Sequence, residues 1–186
     1  FHADHFDRNL LSAIARNQSE IKVVIPDYSN KWLKRAVLNC GITPQNLFEL
    51  PSNKILSIKD IDVKMYVADY CNPQICGVSV SCQSKPRNQT ANDSLALFEA
   101  DGQRVLNAND ALAIASVVKI YPLIGEIDLL LGHFGGAGPY PQCFSDLSEI
   151  QKKEAAAKNA WVFVNRLIQA AERLKAKFTL PYAGQY

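Results

Sequence analysis

The chain lacks a long hydrophobic run, an excess of charge of either sign and any internal repeat. The sequence contains no stretch of about 18 apolar residues, so it predicts no transmembrane helix. Twenty Lys and Arg residues are balanced by 18 Asp and Glu residues, so no large basic field indicates nucleic-acid binding. The absence of a fixed period excludes repeat architectures and coiled coils. With 48% hydrophobic and 20% charged residues, residues 1–186 are predicted to form a single cytoplasmic domain.

Paired cysteines are also lacking. The chain has five cysteines at irregular spacings, an odd number that does not suit a disulfide framework in a chain of this length. None forms the CxxC pair that zinc sites favour, so a cysteine-bound metal is the less favoured alternative. We therefore expect reduced, buried thiols. They are Cys40, Cys71, Cys76, Cys82 and Cys143.

Apolar periodicity predicts helices and strands that alternate at both ends of the chain around a strand-rich middle. Asp7 is the predicted N-cap of the first helix, Pro122 is predicted to stop the third, and Asp101-Gly102 predicts a hairpin turn. This order predicts a layered α/β domain. The predicted helices cover 7–17, 31–40, 111–121 and 146–176, and the predicted strands 21–26, 47–50, 54–58, 63–68, 78–82, 94–100, 104–107, 127–131 and 178–181.

A first cluster of candidate metal ligands lies at the beginning of the sequence. His2, Asp4 and His5 occur within four residues, and imidazoles beside a carboxylate suit a divalent transition metal such as zinc. They directly precede a predicted helix, and loops of this kind often present functional groups. The alternative is an aspartate that caps the helix between two surface histidines.

A second candidate, Asp110, follows a predicted strand and precedes a predicted helix. A carboxylate at the carboxyl end of a strand occupies the usual place of a site in layered α/β proteins. The alternative, which this segment alone favours, is that Asn109 or Asp110 caps the helix.

His133 is the third candidate and the sole histidine outside the first cluster. It follows a predicted buried strand and opens a Gly-rich segment, where small residues permit close backbone approach. It could act as a nitrogen ligand or as a general acid or base, and a hydrogen-bonded structural histidine is the equal alternative. The segment lacks the spacing of a phosphate-binding P-loop.

Taken together, these segments resemble the metallo-β-lactamase superfamily. FHADHFD matches the last five positions of its HxHxDH signature, whose first histidine would precede Phe1. LFEADGQRVLNAND resembles the hairpin and strand that lead to the family's bridging aspartate, here Asp110. IDLLLGHFGGAGPYP and LKAKFTLPYAGQY resemble the branch of ascorbate-6-phosphate lactonase and the phospholipase D that acts on N-acyl phosphatidylethanolamine. The last segment and the NxND turn also resemble the subgroup of the CMP-sialic-acid hydroxylase.

The resemblance covers nearly the whole chain and implies an αββα sandwich without its first strands, so that the N-terminal part of the domain is missing. It implies that His2, Asp4, His5 and Asp110 bind a divalent metal, with zinc favoured and iron or manganese as alternatives. The chain departs from the family pattern at two positions, since histidines are absent near Cys82 and near Ala183.

The function implied is that of a metal-dependent hydrolase in which metal-activated water attacks a phosphoester, lactone or related bond. Asp4 and His133 are the candidate catalytic residues. The expected substrate is a small molecule, phosphorylated or similar to a sugar nucleotide. The short edge strands would permit a homodimer. The alternatives are a non-catalytic binding domain that kept the fold and lost the site, and an accessory domain of a hydroxylase-like oxidoreductase.

Overall fold

The structure is a computed structural model and describes residues 6–27, 31–52, 54–67, 94–109, 121–135 and 140–182. Its helices are α1 (Arg8–Asn17), α2 (Trp32–Leu38) and α3 (Glu149–Arg173), with a 3-10 turn at Pro44–Asn46 and further helical residues at 121–124. Its strands are β1 (Val23–Pro26), β2 (Leu47–Leu50), β3 (Ile55–Ile58), β4 (Ile61–Val67), β5 (Ser94–Ala100), β6 (Gln103–Asn109), β7 (Leu129–His133) and β8 (Phe178–Tyr182).

Two sheets organise the described residues. Strands β1 and β2 form a parallel pair, and the other strands form a six-stranded sheet in the order β3-β4-β5-β6-β7-β8. Neighbours are antiparallel from β3 to β6, whereas β6, β7 and β8 run parallel to one another. The carboxyl ends of these last three strands therefore meet at one edge of the sheet, where open α/β sheets usually carry their sites.

The main core lies between the six-stranded sheet and α3. Alternate strand residues point into it, as the period-2 pattern of a strand requires, and Leu97, Leu106 and Leu130 are fully buried neighbours across three strands. The amphipathic helix α3 covers them with Leu167, and Leu174, the residue that caps the end of α3, is buried in the same cluster. This packing fixes the positions of β6, β7 and β8, which carry the candidate site.

A smaller cluster joins α1 and α2 to the parallel pair. Ile25 and Val37 are buried at its centre, and Leu11 and Ala15 of α1 pack against it. The predicted cap of α1 is confirmed, because the Asp7 carboxylate accepts hydrogen bonds from the backbone N–H groups of Asn9 and Leu10 at 2.9 and 3.0 Å.

Several predicted elements have their predicted bounds. Strands β2 and β5 begin and end where the apolar pattern placed them. The hairpin turn between β5 and β6 is also confirmed, with Asp101 and Gly102 at φ of +48° and +72°. Two successive left-handed residues are what a tight two-residue hairpin requires, which explains the Asp-Gly pair.

Strand β7 lies two residues further along the chain than predicted. The backbone of Ile127 bonds Leu174 and Lys177, which precede β8, and the backbone of Asp128 bonds Arg104 of β6 and Phe178 of β8. The ladder with β8 extends through Gly132 to His133. The Gly-rich sequence suggested that the strand ends at Leu131. That prediction was wrong because pairing with β8 continues across the glycine. His133 is consequently the last residue of a strand.

Three predicted helix ends were also misplaced. Residues 121–124 are helical, so Pro122 lies inside a helical segment; Gly125, at φ +74°, donates its N–H to the carbonyl of Tyr121 and ends that segment. The rest of this predicted helix, 111–120, lies outside the described residues. Helix α3 is shorter than predicted at both ends, because a capping box of Ser148 and Gln151 starts it and the left-handed Lys175, at φ +46°, follows its end.

The described cysteines divide between the core and the surface. Cys40 is buried and its thiol donates to the Ala36 carbonyl at 3.2 Å, as expected of a reduced core cysteine. Cys143 is exposed, which corrects the expectation that all five thiols are buried. Cys71, Cys76, Cys82 and the strand predicted at 78–82 lie outside the described residues.

None of the helices in the described ranges is long and apolar enough to span a bilayer.

Candidate functional site

The candidate site lies where β6, β7 and β8 end. The last residues of these strands are Asn109, His133 and Tyr182, and His133 and Tyr182 are partners in the parallel ladder. Asn107 lies two residues before the end of β6, opposite Leu131 of β7. The sheet thus brings two amides, one imidazole and one phenol to a single edge.

A β-bulge shapes the end of β6. The register with β7 shifts between Asn107 and Asn109, and Asn109 adopts a left-handed backbone at φ +47°. Asparagine is one of the few residues that tolerate this conformation, which explains its use here. The Asn109 N–H donates to Oδ1 of Asn107 at 3.1 Å, and the bulge re-aims the last residue of the strand.

The Tyr182 hydroxyl joins β8 to this bulge. It donates to Asn107 Oδ1 at 2.9 Å and lies 3.5 Å from Asn109 Oδ1. The backbone N–H of Asn109 can only donate, so the Asn107 atom that faces it must be the amide oxygen. The same oxygen can only accept, so the phenol must donate to it. One amide oxygen therefore receives both bonds.

His133 is held by the backbone of the same bulge. Its Nδ1 lies 2.9 Å from the carbonyl oxygen of Asn109, and because a carbonyl only accepts, Nδ1 carries the proton. In the neutral ring Nε2 then has a free lone pair, the arrangement found in most metal-binding histidines. The ring also meets Phe163 of α3 edge-on, with centroids 5.7 Å apart.

An apolar groove of about 420 Å³ begins beside these residues and runs between α3 and β8. Two of its lining residues are neighbours of the site in sequence. Phe134 directly follows His133, and Pro181 directly precedes Tyr182. Among the described residues that line it, Glu172 is the charged one. The remaining lining residues are Val164, Leu167, Ile168, Ala171 and Thr179.

The opposite, amino ends of the same strands are rich in charge. The Arg104 side chain bonds Glu99 at 2.8 Å and also donates to the carbonyl oxygens of Ile124 and Glu126. The Arg104 backbone N–H donates to Asp128 at 2.7 Å. Burial alone would raise the pKa of Glu99, but hydrogen bonds from Lys64 and Arg104 hold that pKa below its ordinary value.

Among the residues predicted for the site, His133 is the one that lies in the part of the chain that the structure describes. His2, Asp4, His5 and Asp110 lie outside the described residues. Within the described ranges, no group of three or more His, Cys, Asp or Glu side chains could hold a metal ion. The described part of this edge therefore presents one imidazole nitrogen, Nε2 of His133, that could serve as a metal ligand, and the candidate carboxylate Asp110 follows Asn109 in the sequence.

Asn107 and Tyr182 were missed by sequence reasoning. Tyr182 stands next to Ala183, the position near which the resemblance implied a histidine, and the NAND sequence drew attention to Asp110. Their contact joins residues 75 positions apart, so only the register of β6, β7 and β8 reveals it.

No protein-family model matches the chain, and neither does any curated protein. Solved structures do match. The metallo-β-lactamase fold protein YhfI from Bacillus subtilis superimposes on 100% of this chain with a TM-score of 0.57 at 12% identity. The chain has the metallo-β-lactamase fold. This confirms the predicted fold class.

Two further solved structures match the chain with a TM-score of 0.51 each. A possible metal-dependent hydrolase from Veillonella parvula covers 99% of the chain and is covered over 71% of its own, with 12% identity and a TM-score of 0.51. A variant of the CmlA beta-hydroxylase of Streptomyces venezuelae covers 88% of the chain, with 15% identity and a TM-score of 0.51. The chain spans 31% of the CmlA variant and 63% of YhfI. At these identities the likeness establishes the fold.

Proposed function

We propose that this metallo-β-lactamase-fold chain belongs to a metal-dependent hydrolase whose site lies at the carboxyl ends of β6, β7 and β8. The observation that carries the proposal is the His133 contact. A strand-end histidine donates from Nδ1 to the carbonyl of the residue that directly precedes Asp110. That contact leaves Nε2 available on a ring held by the residue next in sequence to the candidate carboxylate, and metal sites commonly orient an imidazole through such a bond.

The proposed ligands are His2, Asp4, His5 and Asp110, a set of imidazoles and carboxylates that suits zinc first, and iron or manganese as well. A bound divalent cation supplies water of lowered pKa and polarises the bond to be broken. Asp4 orients the attacking water, and His133 accepts or returns a proton at Nε2.

The proposed substrate is a small molecule with a phosphoester, lactone or related bond, phosphorylated or similar to a sugar nucleotide. The groove beside His133 has an apolar lining, so it suits the uncharged part of such a molecule better than its phosphate. A cytoplasmic location and a homodimer remain part of this proposal.

Metal content tests the proposal. The full-length protein should contain stoichiometric metal by elemental analysis, and the Asp4→Asn/Asp110→Asn double variant should lose both metal and hydrolytic turnover. Asp101→Asn is the matched control, because Asp101 is exposed in the hairpin turn at φ +48° and asparagine tolerates that backbone. Undiminished metal in the double variant would reject the proposed ligands.

The second candidate is a non-catalytic binding domain that kept the fold. It is favoured by the neutral character of the strand ends, where the phenol of Tyr182 bonds an amide rather than presenting an imidazole. This candidate predicts no bound metal and an unchanged thermal midpoint after chelation. A hydroxylase-like accessory domain would instead carry redox-active iron, which optical absorbance would detect.

A further inference from the structure

Four groups at the candidate site form one directed chain of contacts. The Tyr182 hydroxyl donates to Asn107 Oδ1 at 2.9 Å, and the Asn109 N–H donates to the same oxygen at 3.1 Å. The Asn109 carbonyl then accepts from His133 Nδ1 at 2.9 Å. Each link has one permitted direction, because a carbonyl oxygen accepts and an N–H donates.

We propose that Tyr182 and Asn107 are positioning residues that hold His133 with its proton on Nδ1 and its lone pair on Nε2. They act through the left-handed Asn109, whose backbone joins the amide oxygen on one side to the imidazole on the other. The proposal deepens the role given to His133 in the proposed hydrolase.

The left-handed backbone of Asn109 explains why such support is needed. A non-glycine residue at φ +47° carries a conformational cost, and it persists where the surroundings hold it in place. Asn107 Oδ1 supplies that restraint by accepting from the Asn109 N–H. If Asn109 relaxed toward an ordinary strand conformation, its carbonyl would turn away from His133 and the imidazole would lose its acceptor.

Tyr182 stabilises the acceptor itself. Its hydroxyl donates to the oxygen that bonds Asn109, so it orients the Asn107 amide across the gap between β6 and β8. The Tyr182 side chain thus couples β8 to the tautomer of His133 on the neighbouring strand β7. Phe163 contacts the same imidazole edge-on and restricts its rotation from the side of α3.

The tautomer is directly measurable. In the chelator-treated full-length protein, labelled with 15N-histidine and held at a pH where the ring is neutral, His133 should show a protonated Nδ1 and an unprotonated Nε2. Loss of a signal in His133→Gln assigns it. In Tyr182→Phe and Asn107→Ala the two nitrogen shifts should move toward each other, as expected for a mixture of tautomers.

Matched variants separate this role from general damage. Tyr140→Phe removes a phenol that is 46% exposed and lies outside the chain of contacts, so the His133 shifts should stay as in the wild type. Asn107→Asp keeps an acceptor oxygen and should preserve the Nδ1–H tautomer that Asn107→Ala loses. Circular dichroism verifies that each variant is folded.

Two results would overturn the inference. The first is a wild-type His133 protonated mainly on Nε2, which needs no variant to fold. The second is an unchanged tautomer in both Tyr182→Phe and Asn107→Ala. Either result leaves the metal content of the protein untouched. Absence of metal with the expected tautomer would reject the proposed hydrolase alone, so the two failures are distinguishable.

Discussion

The two ends of the parallel strands β6, β7 and β8 are built from different chemistry. At the amino end, Arg104 bonds Glu99 and two backbone carbonyls, and Asp128 bonds Lys177 at 2.6 Å. At the carboxyl end, the contacts among Asn107, Tyr182 and the Asn109 backbone involve no formal charge.

The difference predicts that the amino ends of these strands stabilise the sheet, whereas the carboxyl ends carry the proposed site. Charge-assisted bonds at the amino end join the β5–β6 hairpin to the segment that leads into β7. The carboxyl end holds individual side chains through neutral hydrogen bonds, and we expect it to contribute less to the free energy of unfolding. The predictions below test this contrast in order of decreasing effect.

Arg104→Ala should be the most damaging change. The change removes a side chain that is 27% exposed, so Glu99 keeps only one cationic partner and two backbone carbonyls lose their hydrogen-bond donor. The free energy of unfolding should therefore fall by about 3 kcal/mol. Urea denaturation measures this effect. The exposed Arg173→Ala, on α3, should change it by about 0.5 kcal/mol or less. A loss below about 1 kcal/mol for Arg104→Ala would contradict the stabilising role of the amino end.

Asn107→Ala should cost less, about 1 to 2 kcal/mol, because it removes neutral hydrogen bonds. Its cost should also be insensitive to salt, whereas the cost of Arg104→Ala should fall at 1 M NaCl, where the Debye length is about 3 Å. Urea titrations at low and high salt compare the two variants. An equal salt response of both would remove the proposed contrast between the two ends.

Lowering the pH should weaken the contacts at the amino ends of these strands before those at the carboxyl ends. The folded pKa of Glu99 lies below its ordinary value of 4.5, so its contribution is complete above that value and is lost as the pH falls through the folded pKa. The urea midpoint should therefore decrease below about pH 4.5. Glu99→Gln should flatten this decrease, and Asn107→Ala should keep the wild-type pH dependence. A steeper decrease in Glu99→Gln would refute the sign of the effect.

Lys177→Ala should have the smallest effect. Its ammonium pairs with Asp128, and the hydrogen bond raises the pKa of Lys177, yet its side chain is 69% exposed and solvent screens the pair. Thermal melts should show a small decrease at low salt that disappears at high salt. A loss comparable to that of Arg104→Ala would show that exposed pairs stabilise this end as strongly as Arg104 does.

Local chemistry made parts of the fold predictable. The β5–β6 hairpin followed from Asp101-Gly102, because two left-handed residues are a local requirement of the turn. The Asp7 cap followed from one side chain and the next three residues. Such features depend on neighbours in sequence, and the sequence was sufficient to place them.

The candidate site was less predictable because it depends on register. The sequence singled out His133 as a candidate, but its place at the end of β7 depends on pairing with Tyr182 across the sheet. The bulge that turns Asn109 toward His133 depends on how β6 and β7 align. Asp110 stays a prediction, as do His2, Asp4 and His5, because they lie outside the described residues.

Anomalous diffraction from crystals of the full-length protein is the most direct test of the central claim, that the carboxyl edge is a metal site. Data collected at the absorption edges of zinc, iron and manganese should give a peak about 2 Å from side-chain oxygen or nitrogen atoms of Asp110 and the His2–His5 segment, beside His133. A metal bound elsewhere, or no peak at this edge in protein prepared without chelator and supplied with each metal, would contradict it.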